Sequence, residues 1–323
     1  MIRCWHADES GARQVEPAEA ARTALDGPGA VWLDFDSEPQ ASVEAVLAPL
    51  GIHPLVLEDL VTDVNRPKVD SYGPYLYLVV HSARWDGNHP LLRELDVVIG
   101  RRFLITHHEG STRWVETAQE VLGRRPDLLA RGPATLMHFL LDVLVDHWLP
   151  IMDQVSEEID GLEEELIAAP DVVLHQRIVR LKRGMSALRR IVGPQRDTVL
   201  ALTRDEFEPV PAEVRPYLRD VYDRLARVND LLDSFREETA ALLELHVSQV
   251  SNQLNRVIKR LTVIATIGLP LTIVTSYYGM NVGPEKVFPE FRLFPVHPVL
   301  VVWLLLVVTA AATWWYLRRK RWM

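Results

Sequence analysis

LTVIATIGLPLTIVTSYYGMN, residues 261–281, begins with 18 residues, up to Tyr278, that include no charged side chain. A second apolar stretch, VLVVWLLLVVTAAATWWYL, covers 19 residues from Val299 to Leu317. A helix needs roughly 20 apolar residues to cross the hydrocarbon core of a bilayer, and both stretches qualify once their flanks are included. The sequence therefore predicts two transmembrane helices at the C-terminal end.

The charges beside these spans predict their orientation. The basic pair Lys259–Arg260 precedes the first span and a basic run at 318–321 follows the second, whereas the connecting loop has as many acids as bases. The positive-inside bias then places both termini in the cytoplasm and the loop outside. We predict a multi-pass protein of the cell inner (plasma) membrane.

The two spans differ in polarity. The second consists mostly of Val, Leu, Ala and Trp, which suits contact with lipid. The first contains Gly268, Pro270 and a series of hydroxyl side chains: Thr262, Thr266, Thr272, Thr275 and Ser276. A single hydroxyl often bonds to its own helix, but the series indicates a face that meets water or other protein.

Composition excludes several classes of function. The net charge is −9, yet residues 251–323 have nine Lys or Arg against two acids, so this end carries +7 and the first 250 residues carry −16. No uniformly basic surface or nucleic-acid motif occurs, so no nucleic-acid partner is predicted. The acidic part is either a well-solvated surface or one that attracts cations. The only cysteine, Cys4, excludes an intrachain disulfide, and MIRCWHADES lacks the pattern of a cleavable signal.

The N-terminal part has a mixed α/β pattern that becomes helical near residue 133. Strand-like runs occur at 30–35, 75–85 and 94–108, with helical stretches such as 41–49 and 111–122 between them. Two later helices have opposite charge, and the second is expected to break or bend near Gly193–Pro194. An antiparallel hairpin would set acid against base, and we favour this reading of the acidic run at 157–165 over a metal site.

A third helix is predicted to begin near residues 211–216, where prolines suit a first helical turn. Neither proline nor glycine then occurs from Tyr217 until Gly268, so one helix should run into the first span. From 217 to 278 it would be about 93 Å long at ~1.5 Å per residue. Such a helix must pack against copies of itself or against the hairpin, because it is not stable alone.

The predicted fold class is an α+β cytoplasmic domain followed by a long-helix stalk and two C-terminal transmembrane helices. In chain order the parts are an α/β domain, a helical hairpin, the stalk, the first span, an outer loop, and the second span with its basic tail. Their predicted boundaries are 1–132, 133–210, 211–260, 261–281, 282–298 and 299–323.

YGMN at 278–281, which closes the first of two C-terminal spans, resembles the signature of the CorA-type divalent cation transporters. LEDLVTDVNRPKVDSYGPYLYLVV, residues 57–80, resembles the family's ED…N…RPK segment. YLRDVYDRL at 217–225 and NRVIKRLTVIATIGLPLT at 255–272 are similar to its long-helix and pore sequences. The resemblance covers most of the chain from about residue 55, and the place of the tetrapeptide at the end of the first span makes it specific.

The resemblance implies a funnel-shaped homopentamer in which five first spans line a pore and five second spans form an outer ring. It implies a selectivity filter of Gly279, Met280 and Asn281. A ring of Asn281 carboxamides could hydrogen-bond hydrated Mg²⁺, which dehydrates reluctantly, and release it again. The implied pore-lining residues are Asn255, Ile258, Leu261, Leu269 and Thr272. Ile258 stands where family members often have Met and still suits a hydrophobic gate.

The resemblance also implies that Mg²⁺ is both the transported and the regulatory ion. Asp220 in RDVYD and Asp86 in RWDGN match carboxylates at which intracellular Mg²⁺ bridges subunits and holds the pore closed. The alternative is that both are ordinary surface carboxylates. The outer loop departs from the family pattern, because its VFPEF segment lies later after Asn281 than the corresponding family segment does, as if three residues were inserted before it. Glu290 is the implied cation-gathering acid, with Glu285 as a rival.

Three functions remain open at this stage. The first is a passive Mg²⁺ channel or transporter, with Co²⁺ and Ni²⁺ as further ions. The second is the zinc-transporting branch of the superfamily, where Val is common at the position of Met280. The third is a membrane-anchored sensor or scaffold that does not conduct. An enzyme is not expected, because no phosphate loop or nucleophile–base pair is visible and the adjacent His107 and His108 on a strand should point to opposite faces.

Overall fold

The structure, a computed structural model, describes residues 1–8, 11–62, 65–87, 89–110, 113–168, 172–204, 207–279 and 298–320. The chain divides into two compact units, Met1–Leu243 and Glu244–Met323. The first unit is built on a β-sheet covered by helices, and the described part of the second is entirely helical.

The described part of the first unit contains a seven-stranded sheet. Its strands are β1 (Ile2–Asp8), β2 (Gly11–Gln14), β3 (Ala30–Asp36), β4 (Lys68–Ser71), β5 (Tyr75–Trp85), β6 (Pro90–Gly100) and β7 (Phe103–His108). They lie in the order β2-β1-β3-β7-β6-β5-β4, and neighbours are antiparallel except for the parallel pair β3 and β7.

Helices cover both faces of this sheet. Those of the first unit are α1 (Pro17–Asp26), α2 (Gln40–Leu47), α3 (Pro54–Asp59), α4 (Arg113–Arg124), α5 (Asp127–Ala130), α6 (Pro133–Asp146), α7 (Trp148–Ala168), α8 (Val172–Arg204) and the first part of α9 (Arg215–Gly279). A core around Phe35 and Val79 joins one face to α1–α3. A larger core, which includes Trp32, Leu136 and Leu188, joins the other face to α4–α9. The predicted mixed α/β domain is confirmed, and the hairpin helices share its core.

The predicted strands at 30–35 and 75–85 are confirmed as β3 and β5. The apolar run at 94–108 is divided between the end of β6 and β7, which pair antiparallel on either side of Arg101 and Arg102. Both strands are buried where they pair, so apolar residues occur on both sides of the turn. The run of apolar residues therefore does not indicate where the turn lies.

Of the break or bend predicted near Gly193–Pro194, the break does not occur, because α8 continues through Pro194 to Arg204. Proline removes one backbone hydrogen bond, but Val192 and Val199 on either side of it are buried in the core and hold the helix there. The opposite charges of α7 and α8 meet in an ion pair between Glu165 and Arg177, as the hairpin prediction requires.

The single helix predicted to run into the first span is confirmed, since α9 extends unbroken over 65 residues. The last described helix, α10 (Pro298–Arg319), contains the second predicted span. Most of the exposed large hydrophobic side chains of the described chain lie in the second unit, on α9 and α10.

Within the described residues, two helical segments are long and apolar enough to cross a membrane by length and composition: Pro133–Ala168 and Arg215–Tyr277. Half of the apolar window in the first is buried, which is typical of a core helix, whereas none of the window in α9 is buried. The described residues thus leave this apolar window of α9 exposed, and an exposed apolar surface of this kind is typical of an interaction with lipid or protein.

Candidate functional site

The five predicted pore-lining residues lie on the C-terminal part of α9, and all are exposed in the single chain. They are Asn255, Ile258, Leu261, Leu269 and Thr272. The half-buried positions of the same helix, which include Val263, Ile267 and Pro270, lie mainly on another side at ~100° per residue. The candidate lining face is thus open to a partner, and its role stays a prediction.

Three hydroxyl groups of this region bond to their own helix. Thr272 Oγ1 donates to the carbonyl oxygen of Gly268 at 2.9 Å, and Thr262 Oγ1 donates to that of Ile258 at 2.8 Å. Thr275 makes the same kind of contact with Leu271 at 3.0 Å. The hydroxyl protons are therefore used within the helix, so only the oxygen lone pairs could face an ion or its waters.

The candidate filter lies at the end of α9. Gly279 is the last residue of that helix. Met280, Asn281 and the outer-loop acids Glu285 and Glu290 lie outside the described residues. Their assignment rests on the sequence alone.

Asp220 lies in the second turn of α9, and its side chain is 72% exposed. Its Oδ2 is 3.0 Å from the guanidinium of Arg224, one turn further along the helix. The same guanidinium also pairs with Asp142 and Asp146 on α6. Three carboxylates from two helices therefore converge on one arginine.

Asp86 directly follows β5, and its carboxylate is held by a turn. It accepts a hydrogen bond from the backbone N–H of His89 at 2.8 Å, and its Oδ2 is 3.2 Å from His89 Nδ1. Asp86 also lines a cleft of about 570 Å³ that contains both acids and bases; the other charged residues there are Glu157, Glu158, Arg177 and Arg180.

The described part of a single chain does not complete a metal site at either aspartate. Within it, no group of three or more His, Cys, Asp or Glu side chains is arranged to hold a metal ion. Asp86 follows β5 and Asp220 lies on α9, and two carboxylates would leave most positions of an octahedral Mg²⁺ ion to water or to further ligands.

Sequence reasoning missed the partners of Asp220. Arg224 follows it by four residues, and Asp142 and Asp146 are also four apart, so each pair lies on one helix face. This spacing was a usable signal, but which faces meet is decided only by the packing of α6 against α9.

A second polar cluster lies on the sheet face that α1–α3 cover. His81 on β5 is paired in register with Glu94 on β6, and His107 on β7 with Asp96 on β6. Tyr77 Oη donates to Asp96 Oδ1 at 2.7 Å, and burial raises the pKa of Asp96 to about 6. Asp96 therefore binds a proton more readily than an ordinary aspartate does.

The adjacent histidines of β7 point to opposite faces, as predicted. His107 Nδ1 lies 3.9 Å from Asp96, whereas His108 Nε2 lies 3.3 Å from Asp34 on the other side of the sheet. Burial tends to lower the pKa of His108, but the neighbouring Asp34 carboxylate outweighs it and the pKa is raised.

Comparison with known proteins identifies relatives over most of the chain. A family model described as "CorA-like Mg2+ transporter protein" matches residues 28–319. The cobalt/magnesium transport protein CorA of Thermotoga maritima is 34% identical over 254 residues, which cover 78% of this chain and 72% of that protein. The zinc transport protein ZntB of Photorhabdus laumondii is 31% identical over 158 residues, 47% of each chain.

The fold is also similar to a solved structure. The complete structure of the CorA magnesium transporter from Methanocaldococcus jannaschii covers 100% of this chain and 99% of its own, with a TM-score of 0.84 and 17% identity. At this identity the similarity establishes the fold, a mixed α/β domain with a long helix.

Proposed function

Because this chain belongs to the family of CorA-like Mg²⁺ transporter proteins, which are divalent cation transporters of membranes, we propose that it conducts Mg²⁺ into the cytoplasm. The family is one of transporters and not of enzymes. The observation that supports a pore is the exposed face of α9, which bears the five candidate lining residues and ends at Gly279. Co²⁺ is a further candidate ion, since the Thermotoga relative is named for cobalt and magnesium.

The proposed assembly is a homopentamer in the inner (plasma) membrane with both termini in the cytoplasm. Its support is physical: the apolar side chains of α9 are exposed in the single chain, among them Leu254, Val257, Leu261 and Ile264. A helix of this length with such a surface needs lipid on one side and copies of itself on another. Fivefold repetition of α9 would enclose a pore lined by one face of each copy.

The proposed filter is a ring of Asn281 carboxamides, positioned by Gly279 and Met280. Mg²⁺ gives up its waters reluctantly, so amides that hydrogen-bond those waters can recognise the hydrated ion. Because the amide is neutral, it does not trap the ion, and conduction requires release as well as binding. The acids of the outer loop, Glu290 and Glu285, would raise the local cation concentration at the mouth.

Influx needs no chemical energy source. Moving one elementary charge through 100 mV is worth about 2.3 kcal/mol, so a dication gains about 4.6 kcal/mol per 100 mV of inside-negative potential. The proposed protein is therefore a passive channel, and it requires a gate to prevent overload.

We place that regulation at Asp220 and Asp86, where cytoplasmic Mg²⁺ would bridge subunits and keep the pore closed. The exposed Asp220 carboxylate offers the hard oxygen ligand that Mg²⁺ prefers, and a site with water access suits an ion that keeps its waters. Asp86 offers a carboxylate beside a cleft, already held by His89. Asp220 is the better ligand of the two by exposure.

Reconstitution in liposomes tests the transport function. Mg²⁺, Co²⁺ and Zn²⁺ uptake should be measured for wild type, Asn281→Ala and the control Asn252→Ala, which makes the same change on an exposed cytoplasmic part of α9. We expect Asn281→Ala either to abolish uptake or to change its ion selectivity, and Asn252→Ala to leave both uptake and selectivity unaltered. Unchanged uptake in Asn281→Ala would exclude the filter assignment.

The same assay distinguishes the other candidates. A zinc transporter is the second candidate because a zinc transport protein is 31% identical over nearly half of the chain. Zn²⁺ uptake well above Mg²⁺ uptake would favour it, although Met280 stands where that branch commonly has Val. No uptake of any ion by wild type would favour a sensor or scaffold without a pore.

Regulation is tested with Mg²⁺ on the cytoplasmic side. We expect the double variant Asp86→Asn/Asp220→Asn to conduct at internal Mg²⁺ concentrations that silence wild type. Asp230→Asn, which removes an exposed charge from the same helix, is the matched control. Unaltered Mg²⁺ sensitivity in the double variant would make both residues ordinary surface carboxylates.

A further inference from the structure

Arg224 is the centre of an ion-pair cluster between α6 and the start of α9. Its guanidinium pairs with Asp142 and Asp146 on α6 and with Asp220 on α9. The arginine side chain is 19% exposed, whereas Asp220 is 72% exposed. Arg224 is therefore partly enclosed between the helices, and Asp220 is the outermost of its partners.

The cluster has more negative than positive charge. Among these four side chains, three carboxylates face one guanidinium. The nearby His138 on α6 does not add a positive charge at neutral pH, because burial lowers its pKa below the usual value.

The contacts also differ in how firmly they hold the arginine. Asp142 and Asp146 approach from the neighbouring helix and are separated by one turn, so together they fix the guanidinium from that side. Asp220 shares the guanidinium from its own helix, and at 72% its side chain is more exposed than those of Asp146 at 59% and Asp142 at 32%. The more a charged contact is exposed to water, the less it contributes. Asp220 is thus the partner that can leave without unseating Arg224.

We infer that Arg224 is a built-in competitor for the regulatory cation, so that Asp220 is either paired with Arg224 or turned to a hydrated Mg²⁺. This inference rests on the regulatory role proposed for Asp220. In the absence of the ion, Arg224 neutralises part of the Asp220 charge and lowers the affinity of that carboxylate for a dication. Arg224 consequently sets the Mg²⁺ concentration at which the site fills.

The arrangement also explains how the site could respond only to a high concentration of Mg²⁺. Without the arginine, the Asp220 carboxylate would keep its full charge beside Asp142 and Asp146 and would attract a divalent cation more strongly. With Arg224 present, the cation has to compete with a tethered guanidinium, so the site responds only when the ion is abundant. Arg224 is a positioning and affinity-setting residue, not a metal ligand.

The test is Mg²⁺-dependent protection from chymotrypsin, measured on the full-length protein in detergent as a function of Mg²⁺ concentration. The variants are Arg224→Gln and the control Arg219→Gln, which removes the same charge from an exposed position on the same helix. We expect the midpoint of protection to fall about three- to tenfold in Arg224→Gln, since one positive charge within a few ångströms is removed from a screened site. Arg219→Gln should leave the midpoint within about twofold of wild type.

Arg224→Lys covers the case in which Arg224→Gln does not fold. Lysine keeps the charge but cannot hold carboxylates through a planar fork, so its midpoint should fall in the same direction by a smaller factor. A midpoint that is unchanged or raised in both variants would overturn the inference. Asp220→Asn separates this outcome from failure of the regulatory proposal. If the wild-type response to Mg²⁺ persists in Asp220→Asn, the regulatory proposal is overturned. If the response is lost in Asp220→Asn while the Arg224 variants keep the wild-type midpoint, only the role of Arg224 is overturned.

Discussion

Lys68 Nζ lies 2.7 Å from Oδ2 of Asp59, and this ion pair joins α3 to β4. The ammonium group is also 3.2 Å from Asp70 and 4.9 Å from the centre of the Tyr77 ring. Between the two paired residues, the Asn65 amide donates to the carbonyl oxygen of Asp59 at 3.1 Å. The ED…N…RPK segment that carries part of the family resemblance thus holds α3 next to β4 at the edge of the sheet.

Removal of the Lys68 charge should destabilise the domain. In Lys68→Gln, Asp59 and Asp70 would face each other without a cation, and the contact with Tyr77 would be lost. Both ion-pair partners are about one-third exposed, so we expect a loss of only about 1 kcal/mol, seen as a Tm lowered by a few degrees. Lys182→Gln, the same change at an exposed position of α8, should leave Tm unchanged, and an equal effect in both would show that the ion pair contributes nothing.

Two helix glycines should respond oppositely to alanine. A Cβ at Gly184 would lie 2.6 Å from the buried ring of Trp85, whereas a Cβ at Gly161 would meet nothing within 4 Å. Trp85 cannot move freely, because its Nε1 donates to Glu158 at 3.1 Å. We expect Gly184→Ala to cost about 1–2 kcal/mol despite better helix propensity, and Gly161→Ala to add up to about 1 kcal/mol.

Thermal unfolding and tryptophan fluorescence of the two glycine variants check this prediction. The spectrum should change in Gly184→Ala, where the Trp85 ring is displaced, and not in Gly161→Ala. Equal stabilisation by both substitutions would contradict the close packing of α8 against Trp85.

Asp96 should make stability depend on pH. Burial raises its pKa in the folded state to about 6, from an ordinary value of 3.8. Between these values the folded chain binds a proton that the unfolded chain does not, so acidification favours the folded state. Relative to Asp96→Asn, wild type should therefore gain about 1 kcal/mol between pH 7 and pH 5.

The measurement is the difference in Tm between wild type and Asp96→Asn across that range. Tyr77, Glu94 and His107 surround position 96 in both proteins, so their effects largely cancel when wild type is compared with Asp96→Asn. If the stability of wild type relative to Asp96→Asn does not rise as the pH falls from 7 to 5, the pKa of Asp96 is not raised in the folded protein.

Ile258 and Ile264 are both exposed on α9 but lie on different sides of it, with 50% and 68% of their surface accessible. A hydrophobic constriction closes a pore by excluding water, so a polar residue on the lining face should make it leak. We expect Ile258→Ser to raise Mg²⁺ uptake at inhibitory internal Mg²⁺ at least about twofold, and Ile264→Ser to leave it unchanged. Liposome uptake of both variants checks this, and an equal rise in both would argue against Ile258 as a gate.

Much of the architecture could be predicted because its signals are local. The two apolar stretches, the absence of Pro and Gly from Tyr217 to Gly268, and the β-rich runs at 30–35 and 75–85 depend only on neighbouring residues. The turn between β6 and β7 was not predicted, and the break considered for α8 near Pro194 does not occur. In both places burial in the core outweighs local preference.

The candidate site shows the same difference between what local sequence predicts and what packing decides. Asp220 and the lining positions on α9 could be named from the sequence, since a resemblance carries over position by position. Their surroundings could not: Asp142 precedes Arg224 by 82 residues, and no periodicity in either helix states that they meet.

The sequence by itself determined that the chain has two apolar C-terminal helices, a long continuous α9 and a family signature at its end. Hydrophobic length and helix continuity are properties of contiguous residues, so they require no knowledge of the fold. Only the tertiary structure decided that α6 places Asp142 and Asp146 on Arg224, and that β5–β7 bury Asp96 beside His107. Those relationships arise from packing between distant segments, where burial and charge pairing act through space and not along the chain.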